Sequence, residues 1–232
     1  MKHAMWRLFL AACLCVSVHS WALAQVNVPL GGTVNVPSGG SMNLGCTALN
    51  VQGAFNVNSG QVASISDVSI GNTGNLNGGS GSMRVSGNWN NSGTFVPGSG
   101  SVVFTDGCAG GSVQFSGTTV FNNLTLSSTG RNFVFPAGSL VTVTGTLTLQ
   151  GTPGSPITLF SAGIRSTLVM APGSQLVSSD ANGYHLDQNG NVIIEPPGIP
   201  TLSEYGLMML SMLMAGAALW RGRGAKRKNQ HT

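Results

Sequence analysis

Asp67, Asp106, Asp180, Asp187, Glu195 and His185 are the acid–base groups of the long middle part of this chain. Cleaving a sugar chain needs two carboxyl groups facing one bond, or carboxylates holding calcium beside a basic side chain. The spacing offers neither arrangement. Asp67 and Asp106 each stand alone among turn-forming residues, and Asp180 and Asp187 fall where the ordered pattern ends. A turn or cap role is expected for each. Asp187-Gln188-Asn189-Gly190-Asn191 begins like a calcium loop. Its sixth and twelfth positions, Val192 and Gly198, lack the Gly and Glu that an EF-hand loop requires. A hairpin turn on Asn189-Gly190 is the expectation instead. No Gly-x-Ser-x-Gly stands at a strand-to-helix turn, so nucleophilic serine chemistry is not indicated. His185 has no ligand partners nearby in sequence, and neither a metal nor a cofactor is expected.

Cys46 and Cys108 are the cysteines left once the N-terminal pair, Cys13 and Cys15, is set aside with a leader. An even pair in an oxidising compartment predicts one disulfide. It would close a loop of ~60 residues and stabilise the fold by ~3–4 kcal/mol on the chain-entropy account. The run Thr142-Val143-Thr144-Gly145-Thr146-Leu147-Thr148 places Thr at every second position. It could array hydroxyls on one face, but ordinary strand alternation of β-branched residues explains it more simply. Trp89 is the Trp of the middle part, too solitary for a sugar-stacking platform.

These residues need elements to hold them. From Gln25 to about Pro197 there is no amphipathic helical period; short β-type runs recur between Gly, Asn and Ser turns. Thr33–Val36, Asp67–Ile70, Ser101–Phe104, Ser112–Phe115, Leu140–Val143 and Ile157–Phe160 are examples. Five turn phrases each precede a new β run: Ser38–Ser41, Gly78–Ser82, Pro97–Ser101, Pro136–Ser139 and Pro172–Ser174. The last two are 36 residues apart, room for two coils of ~18 residues. The reading is all-β: a parallel β-solenoid, or β-helix, with a β-sandwich as the alternative.

The two ends of the chain read differently from its middle. Lys2 and Arg7 precede an apolar run from Leu8 to Val18, and Ala22-Leu23-Ala24 forms an Ala-x-Ala site. Residues 1–24 therefore read as a signal peptide, with Gln25 as the new N-terminus. At the other end, residues 198–232 hold a polar motif, Ile199-Pro200-Thr201-Leu202-Ser203-Glu204-Tyr205-Gly206. An uncharged stretch from Leu207 to Trp220 follows, and then a basic cluster of Arg221, Arg223, Lys226, Arg227 and Lys228. As a helix the stretch spans about 21 Å against a hydrocarbon core of about 30 Å. It is short for a permanent span, which suits a transient membrane stop, and the basic cluster predicts a cytoplasmic C-terminus.

Motif, helix and basic end together resemble the IPTL-CTERM protein-sorting signal of Gram-negative bacteria, a relative of the PEP-CTERM class. The resemblance implies a substrate of a membrane-embedded, exosortase-type transpeptidase. That enzyme would remove the helix and pass the body to the cell surface. The aromatic is commonly Trp in that signal and is Tyr205 here; either ring suits the bilayer interface.

The chain of 232 residues has 10 Lys+Arg against 6 Asp+Glu, a formal charge of +4. Seven of those cations belong to the two ends, which leaves Arg84, Arg131 and Arg165 against five acids, so the middle part is net negative. That excludes nucleic acid as a partner. Charged residues make up 7% of the chain and Gly contributes 34 residues, a composition that excludes coiled coils and charged disordered tails. The expected protein is a non-catalytic structural or adhesive surface component. Its expected partners are the export machinery, signal peptidase and an exosortase-type enzyme, with extracellular polysaccharide as a candidate ligand. A secreted polysaccharide-active enzyme or glycan-binding module on a β-helix is the competing expectation.

Overall fold

The computed structural model describes residues 25–108, 110–137 and 140–196. Ala22, Ala24, the motif from Ile199 to Gly206, the apolar stretch 207–220 and the basic cluster lie outside the described residues. Gln25 is the first residue of the first strand.

Every described element is a strand or a turn, and the strands wind into about seven turns of a coil. After β1 (Gln25–Val28), the first turn holds β2 (Thr33–Asn35) and β3 (Ser41–Val51). The second holds β4 (Ala54–Asn56) and β5 (Gln61–Ile70). The third holds β6 (Asn75–Asn77), β7 (Ser82–Val85) and β8 (Trp89–Asn91); the fourth, β9 (Thr94–Val96), β10 (Ser101–Phe104) and β11 (Val113–Ser116). Turn five has β12 (Thr119–Phe121), β13 (Asn123–Ser127) and β14 (Asn132–Pro136); turn six, β15 (Leu140–Val143), β16 (Thr146–Gln150) and β17 (Ile157–Ala162). Turn seven has β18 (Ser166–Met170), β19 (Gln175–Ser179) and β20 (Ala181–Asn182), after which β21 (Tyr184–Leu186) and β22 (Val192–Ile194) form a hairpin.

Strands stack turn on turn in parallel, which makes three faces. One face runs through β2, β4, β6 and β9 and resumes in β12, β15 and β18. The second runs through β7, β10, β13, β16 and β19, and the third through β8, β11, β14, β17 and β20. The long strands β3 and β5 bend from the second face into the third, so these two faces form one 13-stranded sheet. Parallel pairing throughout the coil decides for the solenoid over the sandwich, whose sheets are antiparallel. The coil does not advance by ~18 residues. Thr33, Ala54 and Asn75 stack at steps of 21 residues, whereas Thr146 stacks on Gln175, 29 residues away. Loops between the second and third faces absorb the difference, because a corner loop can lengthen without disturbing the ladder.

Alternation within each strand sends one side chain inward and the next to water. Val62, Met83, Val102, Leu124 and Leu147 stack as one inward column across five turns, all at most 4% exposed. A full burial of this kind stabilises by ~1.5–3 kcal/mol per side chain. Trp89 belongs to this core, at 1% exposure, with its ring 5.0 Å from Phe95 and 5.2 Å from Phe121. Its indole N–H donates to Thr119 Oγ1 at 3.2 Å.

Four of the five turn phrases fall at one corner, where the first face passes into the second. Gly40, Gly81 and Gly100 there donate N–H to Pro37, Gly78 and Pro97, closing tight turns. Stacked turns approach so closely that a Cβ on Gly81 would lie 2.4 Å from Gly60 O. The fifth phrase, Pro136–Ser139, joins the third face to the first instead. The alternating Thr run is broken by the coil as well. Thr142 lies on the first face and Thr148 on the second, and Thr144 turns its hydroxyl to Phe121 O at the corner between.

Candidate functional site

The corner between the second and third faces gathers Cys46, Asp67, Asp106, Cys108, Arg131 and Asp180, which the sequence scatters over 135 positions. In each turn the chain bends here, and polar side chains satisfy backbone groups that no longer sit in a strand. Asp67 Oδ1 accepts the Asn88 N–H at 2.7 Å, one turn on. Asn88 Oδ1 in turn accepts the Gln114 N–H at 2.8 Å, one further turn on. Asp106 accepts the Ser128 hydroxyl at 2.5 Å and the Thr129 N–H at 2.8 Å, again from the next turn. Partial burial alone would raise the Asp106 pKa. The Ser128 and Thr129 hydrogen bonds and the Arg131 charge outweigh it and hold the carboxyl below its ordinary value. Asp180 adopts a left-handed backbone (φ 49°) at the same corner, and its carbonyl accepts the Ile157 N–H at 3.0 Å.

Arg131 is the charged residue of this corner that the sequence reading did not single out. It is 7% exposed. Its Nε donates to Gly111 O at 2.7 Å, its Nη1 lies 3.4 Å from Thr105 O, and Asp106 is 3.7 Å away. One guanidinium thus fastens both ends of the loop that follows β10. A signal did exist: Ser128 and Arg131 stand one coil length after Asp106, the spacing that stacking turns bring together.

The same loop carries Cys108, bonded to Cys46 with the Cα atoms 5.0 Å apart. Cys46 (φ 65°) and Gly45 (φ 58°) both take left-handed backbone at the bend within β3. The predicted disulfide is therefore present, and it joins the first turn to the fourth.

The remaining candidates lie at the C-terminal end. Asp187 closes the β21–β22 hairpin, accepting N–H groups of Asn189 and Asn191 and the Asn191 side-chain amide, all within 2.9 Å. The Asn191 amide, chiefly, holds its carboxyl below the ordinary range. Gly190 N–H donates to Asp187 O, and Asp187 N–H to Asn191 O, with Gly190 at φ 78°. The turn is therefore a three-residue hairpin loop with a left-handed Gly, one residue longer than the expected two-residue turn. Glu195 pairs with Arg165 at 2.7 Å on the surface. His185 and Tyr184 line an open groove of about 380 Å³ with Phe160, Glu195 and Pro196, and the Tyr184 hydroxyl bonds Ser178 Oγ.

Asp67, Asp106, Asp187 and Glu195 are each engaged in holding a turn, a loop or an ion pair. Among the described residues no group of three or more His, Cys, Asp and Glu is placed to hold a metal ion. No helix of the described residues is long and apolar enough to cross a membrane.

Comparison with known proteins finds no curated protein and no solved structure that matches the chain. A protein-family model does match immediately after the solenoid: residues 197–224 carry the IPTL-CTERM motif, a C-terminal sorting signal that points to export of this β-solenoid to the cell surface or beyond.

Proposed function

We propose that this protein is a structural or adhesive component of the bacterial surface, exported by a cleaved signal peptide and released from the membrane by an exosortase-type transpeptidase. The observation that carries the reading is the IPTL-CTERM match, which begins three residues after Ile194, the last residue of the closing hairpin. A sorting enzyme would thus meet its motif on a short tether beside a finished fold. Use of the body's acids as turn and loop fasteners supports a non-catalytic role. The disulfide supports an oxidising destination.

Intact-mass measurement of the surface-released form tests this reading. A chain starting at Gln25, ending between Pro197 and Gly206 and lighter by two hydrogens is expected. A mass running to Thr232 would show that the sorting signal is not processed. Deleting residues 207–220 should abolish release at the surface and leave the solenoid folded.

A further inference from the structure

The two ends of the solenoid are built differently. At the C-terminal end β22 lies antiparallel across β18 and covers the first face, with Asp187, Arg165 and Glu195 adding surface charge. At the N-terminal end β1, β2 and the start of β3 (Ser41–Asn43) have a neighbour on one side only, among the described residues. Their inward residues Val26, Val34 and Met42 are only partly buried, while Val62 and Phe55 one turn further in are fully buried. Leu30, in the loop joining β1 to β2, is 75% exposed.

Open strand edges are normally blunted by charge, by proline within the strand or by a covering element. None of these is present. Residues 25–66 contain no Asp, Glu, Lys, Arg or His, and Pro29 and Pro37 stand at corners outside the strands. Hydrogen bonding along each strand alternates sides. Val28 O accepts from Gln52 in the next turn and Gly32 O from Ala54, so Asn27 and Thr33 turn their N–H groups to the open edge.

We infer that this end binds the same end of a second copy, through antiparallel pairing of the open edges about a two-fold axis. The inference rests on the proposed function, in which residues 1–24 are removed and the C-terminal tail leaves from the opposite end. No segment of the chain then remains to cap the first turn. A two-fold axis across the coil reverses the sense of winding, so edge strands meet antiparallel. Identical ends can approach because, apart from the new α-amino group of Gln25, they set no like charges against each other. The tethered ends would then point apart, so that one pair of molecules could join two surfaces.

The test uses the exported protein with its start at Gln25 confirmed by mass, which keeps a failure of signal cleavage distinct from a failure of pairing. Sedimentation equilibrium from about 1 to 100 μM should show a monomer–dimer equilibrium. Asn27→Pro and Thr33→Pro each remove one edge N–H and spare the bonds to the next turn. Leu30→Lys sets like charges face to face. Each should weaken the dimer at least tenfold with unchanged circular dichroism. Leu186→Lys, on the exposed closing hairpin, should not. A monomer at every concentration, or a dimer indifferent to all three edge variants, overturns the inference. Leu30→Lys, at an exposed loop position, decides the matter should either proline variant fail to fold.

Discussion

Cys46 and Cys108 lie 5.0 Å apart at Cα although they belong to the first and fourth turns of the coil. Stacked strands rise about 4.8 Å per turn, so their strands are separated by roughly 14 Å along the axis. The loop after β10 closes that distance by folding back over the corner, where Gly107 comes to rest near Ser86 of the third turn. Parallel ladders join each turn only to its neighbours, and a solenoid can open locally from an end. The disulfide ties an end turn to the middle of the stack. Replacing both cysteines by Ser should cost about 3–4 kcal/mol, read as a lower urea midpoint, with the first two turns exchanging amide hydrogens fastest.

Arg131 should matter nearly as much, because it fastens the loop that carries Cys108. Arg131→Met removes the bonds to Gly111 O and Thr105 O and the ion pair with Asp106. A loss of about 2–3 kcal/mol is expected in urea unfolding. Arg131→Lys should recover little of it, since an ammonium cannot reproduce the planar fork that reaches both carbonyls. Dithiothreitol should also reduce the Cys46–Cys108 bond faster in either variant, as the loop swings free.

Asp106 and Asp187 make stability depend on acid in one direction. Both carboxyls are held below their ordinary pKa in the fold, by hydrogen bonds at Asp187 and by hydrogen bonds and Arg131 at Asp106. The unfolded chain therefore binds protons first as pH falls. Their stabilisation is fully present above the unfolded value of about 3.9 and is lost as pH drops through the lower folded values. Urea midpoints between pH 2 and 7 should decline only in the acid range. Asp106→Asn and Asp187→Asn should each flatten that decline, and the double variant should flatten it further.

The corners of this fold are legible in sequence and their contents are not. Pro97-Gly98-Ser99-Gly100 can only be a turn, and Val102 and Phe104 alternating with Ser101 and Val103 can only be a strand with one buried side. Which turn Asp106 serves depends on how many residues one coil takes. That number varies from 21 to 29 because corner loops lengthen freely. Estimating ~18 residues per coil leaves Ser128 and Arg131 unconnected to Asp106. It also leaves Thr142 to Thr148 on one face when the corner at Gly145 divides them. Cys46 and Cys108 were pairable from sequence because two thiols in an exported body leave one choice, whatever the coil length.

Trp89 reports on the core in the processed protein. Trp6 and Trp21 belong to the signal peptide and Trp220 to the sorting tail, so the released form keeps Trp89 as its emitting indole. Its near-complete burial among Phe95, Phe104 and Phe121 predicts a blue-shifted emission that moves to the red in one step with unfolding. Trp89→Ala should cost about 3–5 kcal/mol. Trp89→Phe should cost less, though it leaves Thr119 Oγ1 without the indole N–H.

Close stacking of the first corner gives a direct test of the coil itself. Gly81 has an ordinary backbone conformation, so Ala is not excluded there by φ. Its Cβ would nevertheless meet Gly60 O at 2.4 Å and the Val57 side chain at 2.7 Å. The turns would have to part at a corner where the Ser82 N–H donates to that same Gly60 O at 3.0 Å. Gly81→Ala should therefore destabilise by about 1–3 kcal/mol, the range for overpacked sites. Gly110, in the loop after β10, meets no atom within 4 Å and lacks the left-handed backbone of its neighbour Gly111. Gly110→Ala should leave the urea midpoint unchanged or raise it slightly by stiffening the unfolded chain. Equal effects at the two positions would mean that the turns of the first corner do not stack as closely as Gly60 and Gly81 require.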